Sequence, residues 1–341
     1  MTLEELRERI SQIDEKIKEL LDERVKVARK IGEYKRENGL ASWDPQREQE
    51  IINWAGEYKE IFREIIGFCR KVQEPLKICF LGPEGSFSHQ AAIKLFSHYV
   101  ELIPCKNFRE LFDVVESGKS DLSILPIDNS LAGPVGEVLD LLLERNVHIV
   151  GEKYEKIDIC LLSNKEPSEI KEVYSHSHAL EQCRNYLAEK LPDAVAISVE
   201  STAKAAQIAK EKGEAALGGE LLSEIYGLKI IDRSIQDRKN NYTRFIVISR
   251  NPVEGDKTSL IFSVKNVPGA LHKALGPFAK REIDLTSIHS RPVKTKPWDY
   301  IFFMDFKGSL KDKDVQEALA ELEEISTFVK LLGSYPSGQL T

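Results

Sequence analysis

The feature that most constrains the fold is an unbroken helical pattern at the start of the chain. Leu3, Leu6, Ile10, Ile13, Ile17, Leu20, Val27 and Ile31 recur at alternating spacings of three and four. Thr2 and Glu5 form a capping box ahead of them. No Pro or Gly intervenes before Gly32, and the pattern breaks at Asn38-Gly39. The spacing predicts one helix of about 36 residues, roughly 55 Å long. A helix of that length outruns any compact domain this chain could build around it. Its apolar stripe must pack on something outside its own segment, most simply a second copy of the chain.

Arg24 and Lys35 fall in the middle of that stripe, and Arg7 lies at its edge. Cations facing a helical core are costly unless paired. They either snorkel, meet partner carboxylates, or face a buried anionic ligand. After the Gly39 break, Asp44 and Pro45 open a second helix as N-cap and first residue, bringing Arg47 and Glu48 with them. A third helix, from about Tyr58 to Gln73, carries Ile61, Ile65, Phe68 and Val72 on one face. The order Arg7, Arg24, Lys35, Asp44, Arg47, Glu48, Gln73 resembles the all-helical chorismate mutase family. That resemblance implies a three-helix intertwined dimer over residues 1–74. It implies that Arg24 and Arg47 clamp the substrate carboxylates, with Arg7 entering from the partner chain. Lys35 and Gln73 would bond the ether oxygen, and Glu48 and the Asp44 backbone the ring hydroxyl. Cys69 stands where the family usually has Ser.

The middle of the chain alternates short apolar runs with helical patterns. Strands are expected at Leu76–Gly82, Ser123–Ile127, Val147–Val150 and Ile157–Leu162. A second set follows at Val173-Tyr174, Ala194–Ile197 and Ala215–Gly218. Polar residues cluster at the carboxyl ends of these strands, where ligands of α/β sheets sit. The loop Gly82–Ser88 joins a strand to a helix, an arrangement that can bind anions through backbone amides. It lacks the lysine of a phosphate loop. Near residue 241, Asn241-Tyr242-Thr243-Arg244-Phe245 leads a polar loop into the β-branched run Ile246-Val247-Ile248. An amide, a hydroxyl and a guanidinium thus sit where a loop enters a strand. Arg244 either holds a ligand carboxylate or points from the other strand face to a structural partner.

Five stretches resemble prephenate dehydratases: Gly82-Pro83-Glu84-Gly85-Ser86-Phe87, Pro126-Ile127-Asp128-Asn129-Ser130, Ser175-His176 with Ala179-Leu180 and Gln182-Cys183, Ser201-Thr202-Ala203, and Asn241 to Phe245. The resemblance implies a two-subdomain, periplasmic-binding-like α/β dehydratase over residues 76–252. Thr243 would be the residue closest to the chemistry. Asn129, Ser130, Ser175, Gln182, Thr202 and Arg244 would line the substrate cleft. Asp128 replaces the family's usual Glu, and Ser177-His178 its usual Pro-Gln.

Residues 256–335 follow a βαββαβ order, the α+β ferredoxin-like pattern, with strands expected at Asp284–Arg291 and Asp299–Phe306. Gly269-Ala270-Leu271 and Ser290-Arg291-Pro292 resemble the ACT regulatory domain. The resemblance implies phenylalanine as allosteric effector, bound by Gly269, Ala270, Leu271, Ser290 and Arg291. His289 stands where the family usually has Glu.

The whole is expected to be a bifunctional enzyme of phenylalanine biosynthesis, converting chorismate to prephenate and then to phenylpyruvate. The alternative is a monofunctional prephenate or arogenate dehydratase whose helices only dimerise the chain. The net charge of −7 argues against nucleic acid as partner. No apolar run approaches a membrane span. Five scattered cysteines fit a reducing cytoplasm. Neither reaction calls for a metal or other cofactor. A homodimer or higher homo-oligomer is expected.

Overall fold

The computed structural model describes residues 2–40, 43–73, 75–96, 99–292 and 300–338. Met1, Glu74 and Asp299, each an end of a segment expected from the sequence, lie outside the described residues. The chain forms two compact units, residues 1–77 with 96–101, and the remainder.

The first unit is helical: α1 (Leu3–Glu37), α2 (Pro45–Ala55) and α3 (Lys59–Gln73). The capping box forms as expected, with the Glu5 amide donating to Thr2 Oγ1 at 3.2 Å and the Thr2 amide to Glu5 Oε2 at 2.7 Å. Asp44 caps α2 by accepting the Arg47 amide at 3.0 Å. Gly32 lets α3 cross closely, since a Cβ there would lie 2.9 Å from that of Gln73. Only Ala28 and Gly32 of α1 are buried. Leu3, Leu6, Ile10, Ile13, Ile17, Leu20, Val27 and Ile31 remain 41–65% exposed.

The second unit holds three sheets. The first lobe comprises β1 (Lys77–Leu81), α4 (Phe87–Phe96), β2 (Glu101–Cys105), α5 (Phe108–Glu116), β3 (Leu122–Asn129), β4 (Gly133–Pro134), α6 (Gly136–Glu144) and β5 (His148–Lys156). The second lobe comprises β6 (Cys160–Leu162), β7 (Glu172–Ser175), α7 (Ser177–Gln182), α8 (Arg184–Lys190), β8 (Val195–Ser198), α9 (Thr202–Lys212), β9 (Ala215–Gly218), α10 (Leu221–Tyr226) and β10 (Ile230–Asp232). The chain then returns to the first lobe as β11 (Tyr242–Ser249). Sheet order is β2-β1-β3-β11-β5 in the first lobe and β10-β6-β9-β7-β8 in the second. Two chain crossings therefore join the lobes, and the returning strand sits between β3 and β5, antiparallel to both. β5 runs on to Lys156, so the charged stretch after Val150 is strand and not loop.

The last sheet comes from β12 (Lys257–Ser263), α11 (Ala270–Lys280), β13 (Leu285–Pro292), β14 (Tyr300–Lys307), α12 (Lys313–Ile325) and β15 (Phe328–Tyr335), in the order β13-β14-β12-β15. Phe262, Phe278 and Phe306 fill the core between this sheet and its helices. Ile261, Ile301, Phe303, Leu332 and Tyr335 instead join the core of the first lobe. One face of this last sheet is thus packed on the first lobe.

Candidate functional site

Thr243 is the first buried residue of β11. Its register partners are Asn129 on β3 and Glu155 on β5. Cross-strand partners share a sheet face, so the three form a row across three strands. The Asn129 side chain is fixed from both ends. Its Oδ1 accepts the amides of Leu131 and Ala132 at 3.0 and 2.9 Å. Its Nδ2 donates to Asn241 Oδ1 at 2.8 Å and to Thr243 Oγ1 at 2.9 Å. Asn241 Nδ2 in turn donates to Gln182 Oε1 at 3.3 Å. The amide chain Gln182–Asn241–Asn129 therefore bridges the two lobes and ends on the Thr243 hydroxyl. An accepted hydrogen bond on Oγ leaves the Thr243 O–H free to donate.

Glu155 is almost fully buried, and Gln90 Nε2 and Lys94 Nζ of α4 donate to its Oε1, the former at 2.9 Å. The three line a cavity of about 300 Å³ with Asp158, Glu220 and Arg233, open between the lobes. Burial opposes ionisation of Asp158, but bonds from Gln236, Lys156 and Ser234 outweigh it and hold its carboxyl below the usual range. Glu155, Gln90 and Lys94 were not expected as site residues from the sequence, and Asn241 was noted only as the amide at the entrance to β11. Asn241 lies two residues from Thr243 and so on the same side of the chain.

The other expected residues divide. Ser130 Oγ donates to the Asn240 carbonyl at 3.1 Å and accepts the Tyr242 amide at 2.9 Å, pinning the entrance to β11. Ser175 is fully buried and donates to the Leu217 carbonyl at 2.8 Å. Thr202 opens α9 behind the Ser201 cap and packs against Gly218. The Gly82–Ser88 loop is closed on itself. The Gly85 amide donates to His89 Nδ1 at 3.0 Å and the Ser86 amide to the Pro83 carbonyl at 3.1 Å, so neither is presented to an anion. Gly85 has φ +82°, and a Cβ there would meet Leu222 at 2.3 Å.

Arg244 takes the second of its two placements, which corrects the expectation of a substrate contact. It is 7% exposed and lies on the sheet face opposite Thr243. Nε donates to Glu152 Oε2 at 2.7 Å and Nη2 to Tyr335 Oη at 2.9 Å, and Nη1 bonds Asp305. Arg291 pairs with α6, its Nη2 donating to Asp140 Oδ2 at 3.1 Å. Gly269 adopts φ +79° before α11, Ala270 and Leu271 form its first turn, and Ser290 is exposed on β13. His289 Nε2 lies 3.7 Å from Asp128 Oδ2, so two positions that depart from family habit face each other.

In the helical unit, Gln73 packs on Gly32 and its carbonyl accepts Arg36 Nη1 at 2.9 Å. That puts Gln73 within a helical turn of Lys35. Arg24 and Lys35 are half-buried, whereas Arg7 is exposed. Arg47 is exposed and donates to Glu50 at 2.8 Å. The Glu48 carboxylate is held by Trp43 Nε1 at 3.3 Å and Arg70 Nε at 3.0 Å. Arg70 is buried on α3 and was not anticipated; an isolated cation in an amphipathic pattern carries no signal of its partner.

Known proteins match each of these parts. Residues 6–74 match chorismate mutase type II, residues 78–253 prephenate dehydratase and residues 258–324 the ACT domain. A bifunctional chorismate mutase/prephenate dehydratase of Aquifex aeolicus is 43% identical over 99% of both chains. A structure of prephenate dehydratase from Arthrobacter aurescens in complex with L-Phe superposes with TM-score 0.69 at 33% identity, covering 76% of this chain and 89% of that one. A structure described as a novel type of quorum-quenching acylase superposes with TM-score 0.70 at 31% identity, covering 76% of this chain and 97% of that one. Fold alone thus does not assign chemistry, and the mutase stretch and full-length identity do the deciding. Together they define a mutase–dehydratase with an attached regulatory domain. The chain belongs to the bifunctional chorismate mutase/prephenate dehydratase family.

Proposed function

We propose that the row Asn129–Thr243–Glu155 is the dehydratase centre of this bifunctional enzyme. Prephenate must lose its ring carboxylate as CO2 and its ring hydroxyl as hydroxide. The electrons of the broken C–C bond enter the ring, and the departing oxygen needs a hydrogen-bond donor as its charge develops. The observation that carries the reading is the Asn129 Nδ2 to Thr243 Oγ1 bond of 2.9 Å, which leaves the threonine O–H as that donor. Threonine acts here as an oriented dipole and not as a lone acid. Gln182 and Asn241 hold the orientation from the second lobe. Ser130, Ser175 and Thr202 shape the loops around it.

In the helical unit Arg24 and Arg47 bind the carboxylates of chorismate. Lys35 and Gln73 stabilise the ether oxygen as its bond to carbon breaks, and Glu48 and the Asp44 backbone hold the ring hydroxyl. Arg70 fixes Glu48 for that task. Arg7 lies 28 residues before Lys35 on α1, about 42 Å away along the helix. It reaches such a site only from a second copy. The exposed apolar stripe of α1 supports that pairing, so the enzyme is a homodimer or a larger assembly. Phenylalanine is the effector, held near Gly269–Leu271 and Ser290. The domains divide at residues 74–76 and 252–256. Among the described residues no helix is long and apolar enough to cross a membrane, and the enzyme works in the cytoplasm. Arg24→Ala tests the mutase assignment. It abolishes chorismate consumption and spares prephenate turnover, and normal chorismate consumption refutes the assignment.

A further inference from the structure

We propose that Asp305, on the regulatory sheet, is a positioning residue for the dehydratase reaction and acts through Arg244. The inference rests on Thr243 as the hydroxyl donor. Neighbouring residues of a strand face opposite ways, so Thr243 and Arg244 tie one piece of backbone to two environments. Thr243 faces the interlobe cleft. Arg244 faces the regulatory sheet, where all three of its guanidinium nitrogens are engaged. Asp305 on β14 takes Nη1 and accepts Ser259 Oγ of β12 with its other oxygen. Tyr335 on β15 takes Nη2 and lies 2.6 Å from the same Ser259 oxygen. Lys257 of β12 donates to Glu152 at 2.8 and 3.0 Å, balancing the carboxylate that holds Arg244 Nε. Two strands of the regulatory domain thus bond the arginine next to Thr243, and a third, β12, braces the groups that hold it.

The partner strand repeats the pattern. Asn129 faces the cleft and bonds Thr243, while Asp128, the register partner of Arg244, faces the regulatory sheet near His289. A cavity of only about 10 Å³ separates Asp128, Arg244, His289 and Asp305, too small for a ligand. The ladder between β3 and β11 breaks register between Arg244 and Phe245. A bulge re-aims the side chains beside it, so the anchors on Arg244 share in setting where Thr243 stands. The two domains also touch through backbone. A Cβ at Gly333 of β15 would lie 2.1 Å from the Ile149 carbonyl of β5. A shift of the regulatory sheet is therefore passed to β11 through Arg244 and not absorbed by slack.

Asp305→Asn keeps the shape and removes the charge. On the purified full-length enzyme, dehydratase kcat falls by about tenfold or more, since small misplacements of a reacting group cost up to about 100-fold. KM for prephenate changes less, because no substrate contact is lost. Mutase turnover on the same sample stays normal, and inhibition by phenylalanine weakens. Asp305→Glu, which restores the carboxylate, recovers part of kcat. Ser259→Ala, which frees one oxygen of Asp305 without touching its charge, gives a smaller fall of the same kind and covers the case in which Asp305→Asn does not fold. Wild-type dehydratase kcat and phenylalanine response in Asp305→Asn overturn the proposal, as does unchanged behaviour of Ser259→Ala where Asp305→Asn yields no folded protein. A Thr243→Val variant run in parallel separates the two claims. If it retains activity, the donor assignment has failed; if it is inactive while Asp305→Asn is normal, only the coupling has.

Discussion

Replacing Thr243 with Val removes one hydroxyl and keeps the branched shape, so its effects can be separated. The structural loss is small. Asn129 Nδ2 gives up its bond to Thr243 Oγ1 but keeps Asn241 Oδ1 at 2.8 Å and the Tyr242 carbonyl at 3.2 Å. One lost bond with alternatives in place costs about 1 kcal/mol. Against a typical stability of about 5–15 kcal/mol, the protein stays folded. The catalytic loss is larger. Removing one preorganised donor from a developing negative charge costs about 2.7–4 kcal/mol, or roughly 100- to 1,000-fold in kcat. The assay uses one preparation and two substrates: phenylpyruvate formation from prephenate, and disappearance of chorismate. Dehydratase kcat falls by the stated factor while mutase turnover is unchanged. A dehydratase rate within about threefold of wild type, far inside that range, refutes the role of Thr243 as donor.

Three further outcomes follow from the same structure. Ile17→Asp places a carboxylate in the exposed apolar stripe of α1; light scattering should show a smaller assembly, with mutase activity lost. Burial comes first in pushing the Cys183 thiol up to about 12, so iodoacetamide leaves it unmodified in the folded protein at neutral pH and labels it on unfolding, as peptide mass mapping will show. Burial works against the charge on Asp305, but Arg244 and Lys257 overcome it and hold its carboxyl below the ordinary value of 3.8. That depressed carboxyl contributes stability above the unfolded value and loses it as pH falls through the folded one. The melting-temperature gap between wild type and Asp305→Asn should therefore be full at neutral pH and narrow only in acid below about pH 4.

Much of this was legible in the sequence, for reasons specific to particular residues. The long first helix announced itself because its apolar spacing ran without a breaker and its cap was intact. Asn129, Gln182 and Thr243 could be grouped only through the resemblance to prephenate dehydratases, and the structure supplies Asn241 as the link between them. Glu152 and Glu155 were hidden because Gly151-Glu152-Lys153-Tyr154-Glu155-Lys156 has the composition of a loop. It is a strand because β11 pairs along its whole length, a tertiary effect that local pattern does not carry. The placement of Arg244 was half-legible. Alternation requires that Thr243 and Arg244 cannot both face the cleft. Which partner awaits Arg244 depends on a sheet about 60 residues further along the chain, at Asp305. Arg70 gave no signal, because its partner Glu48 is 22 residues away on another helix.

The joining of both activities in one polypeptide under phenylalanine control is open to direct assay. It is tested most directly by giving the purified protein chorismate alone and following phenylpyruvate with and without phenylalanine. Phenylpyruvate forms, and phenylalanine slows its formation. Accumulation of prephenate without phenylpyruvate, or no consumption of chorismate at all, would contradict it.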